Sequence, residues 1–265
     1  LGKGEHDFVI PAVDDLTIVG SCSAETSLSL GIRGPLSRSS GQRLRLWGMT
    51  LSNGAEGAAG TAISAISATR IEVFHTVFDG VANALDLDGV EIVNFEQNTL
   101  REVRDVGLGI RGPLSGVIIG DNHFLGPLGG DGVFLGPLGG DGVFRVAGNG
   151  FESVAGEAIV VTESAISGSI ENNIIGANAT VSGDGISLIG NNAGATITVS
   201  GNQLDGMAGS AIVIAEGGAT YVVSRNVVGG EGPIGSVGLL VSDLVEPGSA
   251  TLTANTVTGA VSCGI

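Results

Sequence analysis

Lysine is nearly missing from this 265-residue chain: Lys3 is the only one, beside ten arginines. Against 27 Asp+Glu, the 11 Lys+Arg leave a formal charge of −16. That balance excludes a nucleic-acid or anionic-membrane partner, because either needs a basic footprint. Aromatics make up only 4 %, with one Trp and one Tyr, so no aromatic-rich core is available. Seven prolines without a G-X-Y period exclude collagen. No run of about 18 apolar residues exists, so no membrane insertion is expected. Two cysteines are too few for a disulfide framework. Long helices are excluded by what is abundant instead: 47 glycines, each costing a helix interior roughly 1 kcal/mol relative to Ala.

What remains is 43 % apolar residues, in short alternating runs such as Leu44-Arg45-Leu46, Ile71-Glu72-Val73 and Ile197-Thr198-Val199. Period-two alternation bounded by Gly, Asn and Ser reads as short strands. The runs follow a template: two apolar residues one apart, a polar residue three further on, then an apolar residue. It fits Val117, Ile119, Asn122, Phe124 and recurs with Asn98, Asn149, Asn202 and Asn226. With Gly168 or Ala250 at the first apolar place it includes Asn173 and Asn255, and upstream Ser21, Met49 and Thr76 hold the marker position. These ten markers are separated by nine intervals of 22 to 29 residues, averaging 26. A second apolar run follows most markers, as at Leu85/Leu87, Leu108/Ile110, Val133/Leu135, Ile159/Val161, Ile186/Leu188, Ile212/Ile214 and Leu239/Val241.

One such repeat cannot bury its apolar face alone. Stacking does, because each strand then pairs in parallel with its equivalent one coil later. The expected fold is all-β: a single-stranded right-handed parallel β-helix, or β-solenoid, of about ten coils, some 48 Å long at ~4.8 Å per coil. The recurring asparagines would form a structural ladder (Asn98, Asn122, Asn149, Asn173, Asn202, Asn226, Asn255), bonding to one another and adopting the left-handed corner conformation. The strings GVIIGDNHFLG, ATITVSGNQLDG and GSATLTANTVTG resemble repeats of the pectate-lyase-like superfamily of right-handed β-helices. The resemblance runs from about residue 16 to the end, and the opening LGKGEHDFVIPAVDDLTIVGSC is similar to the first coil of bacterial secreted or surface members.

The resemblance implies outward-facing catalytic residues if the chain is an enzyme of that superfamily. Lyases of this type use an arginine base with carboxylate-bound calcium, and hydrolases carry Asn-Thr-Asp, Gly-His-Gly and Arg-Ile-Lys segments. None of those segments is present, and His6, His75 and His123 share no motif. No catalytic residue and no cofactor is therefore assigned. Asp86 and Asp88 alternate with Leu85 and Leu87, so both carboxylates share the outer face of one strand. They are a candidate calcium or sugar contact, or, with Arg111 one coil on from Asp88, an exposed ladder pair worth less than about 1 kcal/mol. Gly130-Asp131-Gly132 and Gly140-Asp141-Gly142 lack nine-residue calcium-loop spacing and belong to a perfect duplication, 124–133 repeated as 134–143. LGIRGPLS likewise occurs at 30–37 and 108–115. Asn178-Ala179-Thr180 is a formal sequon. The outward residues of the first strand are too mixed for an ice-binding threonine array.

On the second strand the outward positions include Phe134, Val160, Val213 and Leu240, an apolar stripe expected to meet another chain or segment. Cys22 and Cys263 lie some nine coils apart, about 43 Å, too far to bond to each other. Residues 1–265 read as one β-helix domain, a portion of a longer solenoid or an end-stacking subunit. The expected role is a non-enzymatic structural or adhesive protein, self-associating or contacting other chains laterally or end to end. The alternative is a polysaccharide-binding or polysaccharide-cleaving β-helix. The expected location is extracellular or at a bacterial cell surface, with no signal peptide in this chain.

Overall fold

The computed structural model describes residues 4–6, 14–21, 26–29, 36–38, 41–52, 60–176, 180–230 and 232–262. Lys3, Cys22, Asn178, Ala179, Cys263 and the first six residues of the 30–37 octapeptide lie outside that set. Among the described residues every element is a strand and none is a helix. Three long parallel sheets run the length of the solenoid. The first has ten strands, from Asp15–Val19 to Ser249–Thr253; the second has nine, from Leu36–Arg38 to Leu239–Ser242. The third has eleven very short strands, among them Thr99–Arg101, His123–Gly126 and Gly150–Phe151. Each coil therefore has three strands where the alternation pattern required at least two. The extra one is the two-to-four-residue segment after the ladder residue, too short to carry a period.

Register follows the apolar template. Val93 pairs with Val117, Val117 with Phe144, Gly168 with Ile197, and Ile197 with Tyr221. These side chains stack inward and are 1 % exposed or less where they are apolar, so the interior is a filled core, not a pore. Gly168 follows Phe144 in the column because the ring takes its space: a Cβ there would sit 2.4 Å from the Phe144 ring. A Gly168→Val variant, restoring the column's β-branched type, is expected to lose about 1–3 kcal/mol through overpacking. An unchanged urea midpoint would contradict this account of the glycine.

The asparagine column is continuous. Asn122 Nδ2 donates to Asn149 Oδ1 at 2.9 Å and to Phe95 O at 2.9 Å, while its Oδ1 accepts from Asn98 N at 2.9 Å. The same set recurs at Asn149, Asn173, Asn202 and Asn226, and Thr76 N begins it on Asn98 Oδ1. One expectation is corrected: the asparagines are not the left-handed residues. That conformation belongs to the residue just before each: Gln97 at φ 58°, Asp121 at 54°, Gly148 at 70°, Asn172 at 54°, Gly201 at 66° and Arg225 at 57°. The asparagine must point inward to reach the carbonyls, so the chain reverses one position earlier.

Candidate functional site

Because the interior is filled, anything the protein binds must lie on an outer face. The second sheet presents the candidate. Its strands Leu85–Asp88, Leu108–Pro113 and Val133–Gly139 are successive neighbours, pairing Asp86 with Gly109 and Gly109 with Phe134. Gly109 leaves a gap between its neighbours, and a depression of about 350 Å³ opens there, lined by Asn83, Asp86, Val106, Arg111, Asp131 and Phe134 among others. Arg111 reaches across the gap to bond Asp86. The register does place Arg111 beside Asp88, but the ion pair forms with Asp86. Both partners are more than 40 % exposed, so the pair itself adds under about 1 kcal/mol. No cluster of three or more metal-ligating side chains occurs among the described residues.

Two residues before each second-sheet strand from Ile63–Ile66 onward lies a further column that the alternation pattern does not show. It reads Thr61, Asn83, Val106, Asp131, Glu157, Asp184, Ser210 and Val237. These side chains bridge coils: Asn83 Oδ1 accepts from Val106 N, Asp131 Oδ1 from Glu157 N at 3.0 Å, and Asp184 Oδ1 from Ser210 N at 2.6 Å. The glycines of these turns make room for them. A Cβ at Gly156 would lie 2.2 Å from Asp131 Oδ1, and one at Gly209 2.3 Å from Asp184 Oδ1. Gly130-Asp131-Gly132 and Gly183-Asp184-Gly185 are thus ladder corners, whereas Asp141 of Gly140-Asp141-Gly142 lies outside the column.

Three carboxyls consequently stand in successive coils, about 4.8 Å apart. Burial of Glu157, its hydrogen bond with Asp131 and then the charges of Asp131 and Asp184 push its carboxyl from the ordinary 4.5 up to about 7. Glu157 therefore keeps its proton to a higher pH than an ordinary glutamate does. The signal that could have found the column is three acids at one offset before three consecutive apolar runs.

The apolar stripe is placed in one column, with Phe134 beside Val160 and Val213 beside Leu240. Ser187 interrupts it between the two valines. Val160 and Val213 are only 7 % and 9 % exposed within this chain, while Phe134 and Leu240 are half-buried. The exposed apolar area of the stripe is therefore at Phe134 and Leu240, not at the two valines.

The catalytic unit of a thermostable GH87 alpha-1,3-glucanase from Streptomyces thermodiastaticus superposes with a TM-score of 0.49 at 14 % identity, covering 99 % of this chain and 58 % of that one. The mannuronan C-5 epimerase AlgE6 A-module of Azotobacter vinelandii superposes at 0.39 and 13 % identity, covering 100 % and 90 %. The chain thus spans well under two thirds of the glucanase unit. No curated protein matches the sequence. The family model described as "Right handed beta helix region" matches residues 61–228, more than half the chain and all of the coils that carry the second-sheet depression, and the chain belongs to that family.

Proposed function

We propose that this protein binds and cleaves a polysaccharide at the outer face of its second sheet, outside the cell. The observation that carries the reading is the joining of an open depression with an acid column: Asp131 lines the depression, and its Oδ1 accepts from the Glu157 backbone N–H at 3.0 Å, which sets the two acids on adjacent coils. A long in-register face suits a long repeating polymer, as the extended surfaces of other solenoids suit extended partners. Glycoside cleavage needs one carboxyl kept protonated and one kept ionised. Here Glu157 would protonate the leaving oxygen, and Asp131 or Asp184 would attack the anomeric carbon or activate water. Phe134 would offer a ring face to a sugar and the Arg111–Asp86 pair polar contacts to its hydroxyls. Glu157 and Asp184 stand on backbones one coil, ~4.8 Å, apart, nearer the ~5–5.5 Å of a retaining pair than the ~6.5–9.5 Å of an inverting one.

The test is reducing-end release from a panel of glucans, mannans and uronans by the full chain. Glu157→Gln should lose at least about a hundredfold in kcat, with Phe134→Ala raising KM. Retention of anomeric configuration in the first product is expected by NMR. A panel on which wild type and Glu157→Gln act alike would end the reading.

A further inference from the structure

The chain's one tryptophan stands on the first sheet, not the second. Strands Arg43–Trp47 and Arg70–Phe74 are neighbours in register: Arg43 beside Arg70, Arg45 beside Glu72, Trp47 beside Phe74. Because side chains alternate, these six share the outer face, and the inner positions Leu44, Leu46, Ile71 and Val73 are buried. At one end of the face Trp47 is 43 % exposed. Its ring centroid lies 5.3 Å from that of Phe74 and 4.8 Å from that of His75, both tilted. At the other end Arg43 and Arg70 stack as like charges on adjacent strands, an arrangement that costs stability unless an anion relieves it. Their carboxylates are loose partners: Arg43 Nε is 3.7 Å from Asp15, and Arg70 Nη1 is 3.5 Å from Glu72. The tight pair is Arg45 with Glu72, at 2.9 and 3.0 Å. Glu72, only 8 % exposed beneath these arginines, anchors the middle of the face and leaves guanidinium donors at Arg43 and Arg70 for another acceptor.

A chain of charge −16 thus carries a local patch with three arginines against Asp15 and Glu72. Screening within about 8 Å at physiological salt makes the local sign decide what docks there. An exposed π face accepts the C–H face of a pyranose, since the ring's quadrupole is negative above its plane. A planar guanidinium accepts carboxylate or sulfate in fork geometry. From aromatic end to basic end is four residues, roughly 13 Å, longer than one pyranose. We propose that this face is a second carbohydrate site, distinct from the second-sheet depression, that binds an anionic oligosaccharide with one ring on Trp47 and a carboxylate or sulfate on Arg43 and Arg70. It rests on the polysaccharide reading only for the class of ligand, not for the site.

The single tryptophan makes the test specific. The full chain is titrated with size-defined sulfated, uronic and neutral oligosaccharides while tryptophan fluorescence is followed. A saturable shift with one or both anionic series, weakened about tenfold by Trp47→Ala in calorimetry and by the double variant Arg43→Ser/Arg70→Ser, is the expected result. The anionic series that binds identifies the substituent. Glu157→Gln should leave the titration unchanged, and circular dichroism with an unaltered urea midpoint checks that the variants fold. Anionic oligosaccharide bound without a tryptophan signal, an equal response to neutral oligosaccharide, or indifference to the double arginine variant overturns the proposal. Cleavage at the second sheet would survive any of those outcomes, so the two readings fail separately.

Discussion

Asn173→Ala is expected to destabilise the protein by on the order of 3 kcal/mol or more, although it removes only an amide from a surface-to-surface width of one coil. Asn173 is completely buried. Its Oδ1 accepts from Asn149 N and Asn149 Nδ2, both at 3.0 Å, and its Nδ2 donates to Val146 O at 3.0 Å and Asn202 Oδ1 at 2.9 Å. Alanine leaves donors and acceptors on both sides buried with no water to replace them, at about 1–3 kcal/mol for each group left unmet. Because each amide polarises the next, a break in mid-column should cost more than one at its end. Asn255→Ala is the comparison: Asn255 is half-exposed, and water can reach the groups it leaves, so about 1 kcal/mol is expected. Asn173→Asp keeps the shape and the acceptor but loses the donor, so its cost should grow as pH rises and the new carboxyl ionises. Urea midpoints decide the matter, and equal losses for Asn173→Ala and Asn255→Ala would mean that the column is not a connected element.

The second large effect is a stability that falls as pH rises. Glu157 titrates near 4.5 when unfolded and near 7 in the folded chain, so the native state holds its proton more tightly between those values. The stabilisation from that proton is complete below about pH 4.5 and is lost as pH rises through about 7. The steepest slope is about 1.4 kcal/mol per pH unit, and solvent at this half-exposed position reduces it. Glu157→Gln, neutral at every pH, should flatten the profile and be the more stable protein at pH 8. Asp131→Asn removes both a hydrogen bond and a charge that hold the proton, so it should shift the midpoint of the decline toward acid. A wild-type profile flat between pH 4.5 and 8 would contradict the arrangement. The cleavage proposed for this protein should decline as pH rises through about 7, where the folded chain gives up the proton that it needs.

Much of the fold was legible because a solenoid repeats one local problem. Val117, Ile119, Asn122 and Phe124 each recur at a spacing set by coil length, so alignment in sequence is alignment in space. The ladder amides and the inward columns follow directly. The third strand was not legible, being too short to show alternation, nor was the left-handed residue, since Gln97, Asp121 and Arg225 share no chemistry that marks them. The carboxyl column escaped for a different reason. Asp131 stood out within Gly130-Asp131-Gly132, but Glu157 sits between glycine and alanine and carries no such mark. Nothing in the alternation of Leu44, Arg45 and Leu46 marks Trp47. What it touches comes from the next coil, the consecutive pair Phe74 and His75.

The duplicated decapeptide separates the two kinds of information best. Phe124 and Phe134 begin identical strings, yet Phe124 is buried in the third sheet, stacked on Phe151 at 4.4 Å, while Phe134 faces outward beside the depression. Val133 is fully buried and Val143 is 59 % exposed. Ten residues is not a whole coil, so a second copy starts at a different place on the winding. The octapeptide behaves likewise: Leu36 lies at the level of Ile63, Leu85 and Leu108, not of its identical counterpart Leu114. Composition and period alone determined that this chain must wind as stacked parallel strands, because short one-sided apolar runs and abundant glycine leave no other way to bury them. Which carboxyls meet at one corner, which arginines lie side by side and which of two identical phenylalanines sees solvent were decided by coil length, which sets what lies over what.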